Sequence, residues 1–230
     1  MYRERPSTVA GAVAWASTSD GRAGRVLPDG CMDLLWYGDR LVVAGPDTGA
    51  FWSATAAGAT VAGVRFAPGS APGVLGLPAH AVRDQRVRLD AVWDPALVRA
   101  LEERVAAAPR PARALERIVA DHDRRAPDLD PLLAEVVRRA DRDEAVGAIA
   151  DAVGLSARQL HRRALDAFGY GPKLLARVLR LQRALAHARQ GTALATVAAH
   201  HGYADQAHLA RDVRDLTGTT LGRLGLGLAA

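Results

Sequence analysis

Two stretches of the carboxy-terminal part repeat one another, and no other feature of the chain constrains its fold as much. The first runs Ile149-Ala150-Asp151-Ala152-Val153-Gly154-Leu155-Ser156, then Leu160-His161-Arg162, then Gly169. The second runs Val197-Ala198-Ala199-His200-His201-Gly202-Tyr203, then Leu209-Ala210-Arg211, then Gly218. Each places Ala four residues before Gly, follows with Leu-x-Arg, and ends in Gly seven residues after that Arg. Arg162 and Arg211 are 49 residues apart, whereas Ala150 and Ala198 are 48 apart, so the second copy carries one extra residue after its turn. A small Ala lets two helices cross closely, and Gly ends the first helix and permits a sharp turn. Ser156 and Asp205 stand where they can cap the next helix. Leu160, Ala164 and Phe168 then share one apolar face, as do Leu209, Val213 and Leu216. The spacing predicts two helix-turn-helix units, each turning the other face of its second helix outward.

Between the copies, Pro172 to Arg189 reads as one uninterrupted helix, roughly 27 Å long at the α-helical rise. A rod of that length suits two outward helices held about one DNA turn, roughly 34 Å, apart. Charge follows the same division. Residues 1–135 hold 16 Arg and 17 Asp or Glu; residues 136–230 hold 14 Arg or Lys and 8 Asp or Glu, a net of +6. A basic segment beside a neutral one is the pattern of a polyanion-binding module joined to something else.

The front of the chain differs in kind. Eight of the eleven aromatic residues lie in residues 1–93, which suits pleated sheet, while the Ala-, Leu- and Arg-rich remainder suits helix. Cys31 to Tyr37 reads as a strand, Gly38-Asp39 as a two-residue turn, and Arg40 to Ala44 as the returning strand. Ala50 to Thr55 and Thr60 to Ala67 are further strand candidates, and Ser70 to Leu77 a short helix. Asp94-Pro95 marks a helix start, Pro109-Arg110-Pro111 breaks that helix, a second runs to about Arg125, and Asp130-Pro131 caps a third. The segment from Arg124 to Asp130 reads as a linker boundary. The expected fold class is α+β. Residues 1–93 form a β-rich domain for effector binding or dimerisation, 94–140 a helical linker or dimerisation segment, and 141–230 a double helix-turn-helix.

From about Glu144 to Leu224 the chain resembles the DNA-binding domain of AraC/XylS-type transcription regulators. The resemblance rests on Gly154-x-Ser156, Leu160-x-Arg162, Gly169-x-Gly171-Pro172, Arg180-Leu181, Ala184, Gly202-Tyr203-x-Asp205, Leu209-x-Arg211 and Gly218-x-Thr220. Arg25 to Leu34 resembles the β-rich N-terminal domain found on some of these regulators. Ala164, Leu165 and Leu221 depart from the family pattern, and Asp212 and Asp215 put negative charge on or near the second recognition helix. The second unit is therefore expected to bind weakly or to contact mostly phosphates. The resemblance implies a sequence-specific DNA-binding transcription regulator, with double-stranded DNA as partner. A small-molecule effector, a second copy of the chain and RNA polymerase are further candidate partners.

Outward positions on the first recognition helix are Arg158, Gln159, His161 and Arg162; on the second they are Gln206, His208 and Arg211. Arg suits bidentate contact with guanine and Gln with adenine. By the resemblance, Arg158, His161, Arg162, Gln206, His208 and Arg211 face bases, whereas Arg163, Lys173, Arg177 and Arg180 are expected to meet phosphates or solvent. Cys31, Asp33, Trp36 and Trp52 are candidates to line a ligand pocket in the front domain, with Trp93 beside them. Core packing is the competing role for the tryptophans, and a small buried strand position that of Cys31.

Other chemistries lack their residues. His80 is the only histidine before His122, so a multi-histidine metal enzyme on the front domain has no ligands there. No nucleophile triad, phosphate-cradling Gly loop or zinc-type Cys spacing is present. His200 and His201 are adjacent, and on a helix such side chains diverge by about 100°, a poor chelate. No catalytic residue, cofactor or metal is therefore expected. Cys31 is the single cysteine, Met1 to Pro6 lacks the apolar run of a signal peptide, and no stretch reads as a membrane span; a cytoplasmic protein is expected.

Overall fold

The computed structural model describes residues 2–123 and 130–226. The end of the second predicted helix near Arg125, and most of the predicted linker boundary, lie outside them. The strands are β1 (Tyr2–Pro6), β2 (Ala12–Thr18), β3 (Gly24–Val26), β4 (Met32–Tyr37), β5 (Arg40–Ala44), β6 (Phe51–Ser53), β7 (Thr60–Phe66) and β8 (Arg86–Arg88). The helices are α1 (Ala71–Leu75), α2 (Pro95–Ala106), α3 (Pro111–Asp123), α4 (Pro131–Asp141), α5 (Val146–Ala152), α6 (Ala157–Phe168), α7 (Pro172–Ala188), α8 (Leu194–His200) and α9 (Gln206–Thr217).

Six strands make one antiparallel sheet in the order β1-β2-β7-β4-β5-β8, and β3 pairs with β6 in a second, two-stranded sheet. The β4–β5 hairpin turns at Gly38 and Asp39, both at positive φ, as the sequence predicts. Met32, Leu34, Val64 and Phe66 point to one face of the large sheet and are buried there against α2 and α3, whose Val98, Leu101, Val105, Leu115, Ile118 and Val119 complete the core. The segment 94–140, expected as one linker, is divided in the structure. Its first two helices close the front core, while α4 contributes Val136 and Ala140 to the core around α5 and α6. The apolar faces decide this: α2 and α3 carry more buried residues than a free-standing connector tolerates.

Helix α7 divides the back part between two cores. Leu175 packs with Ile149, Leu160, Ala164 and Phe168, whereas Val178, Leu181, Ala184 and Leu185 pack with Val197, Leu209, Val213 and Leu216. Of the three departures from the family pattern, Ala164 and Leu221 are buried core positions and Leu165 is half-buried.

An ion pair between the exposed Arg5 and the buried Glu116 holds β1 and its loop onto α3. The Arg5 guanidinium donates to Glu116 Oε1 at 3.1 Å and Oε2 at 2.6 Å, and the Thr8 amide donates to Oε1 at 2.7 Å. Arg5, with the Thr8 amide, holds the Glu116 carboxyl down at about 2. A carboxylate with a depressed folded-state pKa adds stability above its ordinary value of 4.5, and that stability is lost as pH falls towards 2. Glu116→Gln is expected to lower stability at pH 7 by about 1–3 kcal/mol and to flatten the acid limb of the stability profile, read by chemical denaturation at a series of pH values.

Candidate nucleic-acid interface

The first unit is α5, a turn and α6. Gly154 sits at a φ of 68° in the turn, and Ser156 caps α6 in a full capping box with Gln159. Leu160, Ala164 and Phe168 face inward and are buried. Arg158, His161, Arg162 and Arg163 remain exposed on the other side. Arg158 and Arg162 are one turn apart and, with Ser156 and Gln159, line a shallow depression open to solvent.

Not every predicted contact is free. The Gln159 carboxamide oxygen accepts from the Ser156 amide at 2.9 Å and from its hydroxyl at 2.9 Å, so this side chain is committed to the cap. The His161 imidazole leans over the joint to α7, where a Cβ at Gly171 would lie 2.7 Å from the ring. Arg163 reaches Asp130, the cap of α4, at 3.3 Å. Lys173 is exposed at the start of α7 with no partner among the described residues.

The second unit is α8, a turn and α9. Asp205 caps α9 by accepting from the His208 amide at 2.6 Å. Gln206 and Arg211 are exposed with no partner among the described residues, whereas His208 is half-buried. Its Nδ1 accepts from the Ala204 amide at 3.2 Å, and its ring meets Tyr203 edge-on. His208 thus braces the turn.

The acidic residues of α9 correct the sequence expectation. Asp212 is turned inward and only 4% exposed. Its Oδ2 accepts from the Tyr203 hydroxyl at 2.9 Å and lies 4.0 Å from Arg180, and its Oδ1 accepts from Arg177 of α7. Asp215 pairs with Arg177 at 2.8 Å. Arg180 also stacks over the Tyr203 ring at 4.7 Å. Arg177 and Arg180, expected at phosphates or in solvent, instead fasten α9 to α7. The physical reason is that a carboxylate on the apolar side of a helix must be paired, and the facing helix supplies the cations. Burial, with Asp212 next to it, pushes the Tyr203 hydroxyl up. Asp212→Ala removes the acceptor of the Tyr203 hydroxyl and one of the two carboxylates that Arg177 engages, and is expected to cost about 2–4 kcal/mol, measured as a loss of stability that Asp212→Asn only partly restores.

The pocket candidates of the front domain do not converge. Trp36 packs on the core side of β4, and the alternation of the strand puts Asp33 on the opposite face. Trp52 is 60% exposed under the Arg25 guanidinium. Trp93 stacks on His122 and donates to the Leu75 carbonyl at 2.9 Å. Asp33 accepts from Trp15 Nε1 at 2.7 Å. Burial pushes its carboxyl up to about 6, against the pull of Arg65 and the Trp15 hydrogen bond. Burial likewise pushes the Cys31 thiol up, which disfavours a reactive thiolate.

What the front domain does touch is α6. His80 lies 3.2 Å from Asp166, and Arg83 donates to the Gly169 carbonyl at 3.3 Å. Gly169 caps α6 at a φ of 79°, and a Cβ there would come within 2.5 Å of Pro46. Tyr170, buried beside Gly30, follows directly. Gln182 of α7 donates to the Pro28 carbonyl at 2.5 Å. Sequence reasoning missed this seam, because contacts between distant segments leave no local pattern. It also missed His187, which the structure sets against His200 and His201.

Residues 149–225 match a family model described as a helix-turn-helix domain, and residues 12–88 match a domain of unknown function, DUF6597. No curated protein matches the chain. Among solved structures, an apo variant of ToxT from Vibrio cholerae strain SCE256 superimposes with a TM-score of 0.50 at 10% identity, over 95% of this chain and 98% of that one. ToxT in another crystal form gives 0.48 at 9% identity over 97% of each chain, and ToxT with an unsaturated fatty acid bound gives 0.47 at 10% identity over 96% of each. The first of these shows a shared fold. With the two helix-turn-helix units in place on either side of α7, residues 149–225 form a helix-turn-helix domain of the AraC/XylS type, preceded by a β-rich N-terminal domain.

Proposed function

We propose that one chain reads two successive major grooves on one face of a duplex, one with α6 and one with α9. What carries the reading is that Arg158, Arg162, Gln206 and Arg211 are exposed and, among the described residues, without a partner on the outward faces of two capped helices, on a segment whose net charge is +6. In a helix-turn-helix it is the N-terminal part of the second helix that meets base edges, and these residues lie in the first half of each helix. Arg158 and Arg162 supply bidentate donors, Gln206 a donor and acceptor pair, and Lys173 a phosphate contact. With its side chain held by Ser156, Gln159 serves the cap and not the bases. Because the chain carries both reading units, recognition needs no second copy; dimerisation or a contact with RNA polymerase would add to binding, not create it. The protein acts by binding and not by catalysis. Among the described residues no helix is long and apolar enough to cross a membrane, in keeping with a protein that works on DNA in the cytoplasm.

The N-terminal domain governs this reading through its seam on α6. Pro46, Gly69, His80 and Arg83 all bear on the C-terminal end of α6 or on Gly169 just after it, so a shift in the front domain tilts the first reading helix. An effector bound to the front domain would act by favouring one setting of this seam over another.

Two kinds of variant separate readers from anchors, measured by gel shift on upstream DNA with a salt series. Arg158→Ala and Arg162→Ala are each expected to cost about 1–3 kcal/mol on the preferred sequence and much less on unrelated DNA. Lys173→Ala should weaken binding to all sequences alike and reduce the salt slope by about one. Losses that are equal on all sequences for Arg158 and Arg162 would make α6 a backbone binder. Arg83→Ala, remote from the reading face, is expected to change DNA affinity severalfold while leaving Tm nearly unaltered.

A further inference from the structure

Three imidazoles meet where the spacer helix ends. His187 lies in the last turn of α7, His200 is the last residue of α8, and His201 follows as its cap. The ring centroids of His187 lie 5.3 Å from those of both His200 and His201, which are 5.0 Å from each other. One ring nitrogen from each can be chosen so that all three lie within 4.8 Å of one another. His187 Nδ1 and His201 Nε2 are already 3.2 Å apart. Two nitrogens bound to one tetrahedral zinc ion, each at about 2.0–2.1 Å, stand roughly 3.3 Å apart. The adjacent pair was expected to diverge, but His201 has left helical geometry, with φ −102° and ψ 22°, and its ring swings back towards His187.

We propose that His187, His200 and His201 form a three-histidine site for a late first-row divalent cation, Zn²⁺ being the natural occupant. Three imidazoles with no carboxylate among them suit zinc, nickel or copper and not magnesium or calcium. His200 is exposed, so its ring can turn the remaining distance and a water can complete the tetrahedron. Arg183, one turn earlier on α7, is engaged by Asp141 and Asp143, and Arg189 follows His187 by two residues as the cap of α7. A bound ion would tie the end of α7 to the end of α8. That junction precedes the turn at Gly202 and Tyr203, and the turn sets the angle of α9. The site therefore belongs to the second reading unit, far in sequence from the seam that bears on the first.

The test uses the full chain without a histidine tag, stripped with chelator and titrated with Zn²⁺ by calorimetry, and with Co²⁺ followed by its visible absorption. The expected result is one equivalent bound, the strong bands of four-coordinate Co²⁺, and a Tm that rises with added zinc until the site is full. H187Q/H201Q should abolish the bands, and H80Q, in the N-terminal domain, should keep them. H200Q alters an exposed position and is expected to fold normally while weakening zinc about tenfold or more. Absence of saturable binding to the wild-type chain overturns the proposal, as does an affinity unchanged in H200Q. DNA affinity measured on the stripped protein reports separately on the reading helices, so loss of one result leaves the other standing.

Discussion

Helix α7 has to satisfy two cores at once, and the rest of the DNA-binding part depends on that constraint. Leu175, near its start, belongs with α5 and α6, and Val178, Leu181, Ala184 and Leu185 belong with α8 and α9. Neither reading unit buries enough apolar surface to stand alone, since each is a pair of helices of 7 and 12 residues. Packing both on one rigid rod gives each its core and fixes their separation by the length of the rod. Seventeen residues span about 25 Å at the helical rise. Polar contacts then set the rotation about the rod: Asp212 of α9 accepts from Arg177, with Arg180 4.0 Å away, while Arg183 holds the end of α4 and the loop after it through Asp141 and Asp143. A purely apolar seam would tolerate slippage that these directed pairs resist.

The front domain meets this assembly at the C-terminal end of α6 and the joint to α7, and again along α7, where Gln182 donates to the Pro28 carbonyl and Leu27 packs against the core of the second unit. Small residues make the approach close. Gly69 brings its backbone against the Phe168 ring, and Gly169 lets Pro46 pack on the cap of α6. Close packing of this kind transmits displacement and does not absorb it. Polar groups lie in the same seam, with Arg83 on the Gly169 carbonyl and His80 beside Asp166. The domain that could sense is therefore in direct contact with one of the two helices that read.

Much of this was legible in the sequence because it is local. The Gly38-Asp39 turn fixed the β4–β5 hairpin, Asp94 and Asp130 marked helix starts, and the repeated Ala, Gly and Leu-x-Arg positions located both helix-turn-helix units. What escaped depends on partners far along the chain. Strand β1 escaped because all five of its residues, Tyr2 to Pro6, are exposed and show no alternation. Strand β2 is mostly Ala, Ser and Thr, with one aromatic residue, and β8 is only three residues long. Asp212 read as a repulsive surface charge because Arg177 and Arg180 lie some thirty residues earlier. Gln159 has the sequence signature of a capping box, Ser156 followed three residues later by Gln, and that signal outweighs its side-chain suitability for adenine. Trp36 and Asp33 are three residues apart, so strand alternation alone places them on opposite faces. His187 escaped because it lies 13 residues before His200, and only the return of α8 against the end of α7 brings the rings together.

The proposed function has a single chain engaging two neighbouring major grooves, one with α6 and one with α9. Hydroxyl-radical and base-methylation footprinting of the full chain on its bound DNA, with stoichiometry from light scattering of the same complex, tests it most directly. The account predicts one chain per site and two protected major-groove patches about 10–10.5 base pairs apart on the same face of the duplex. A single patch, or two patches that require two chains, would contradict it.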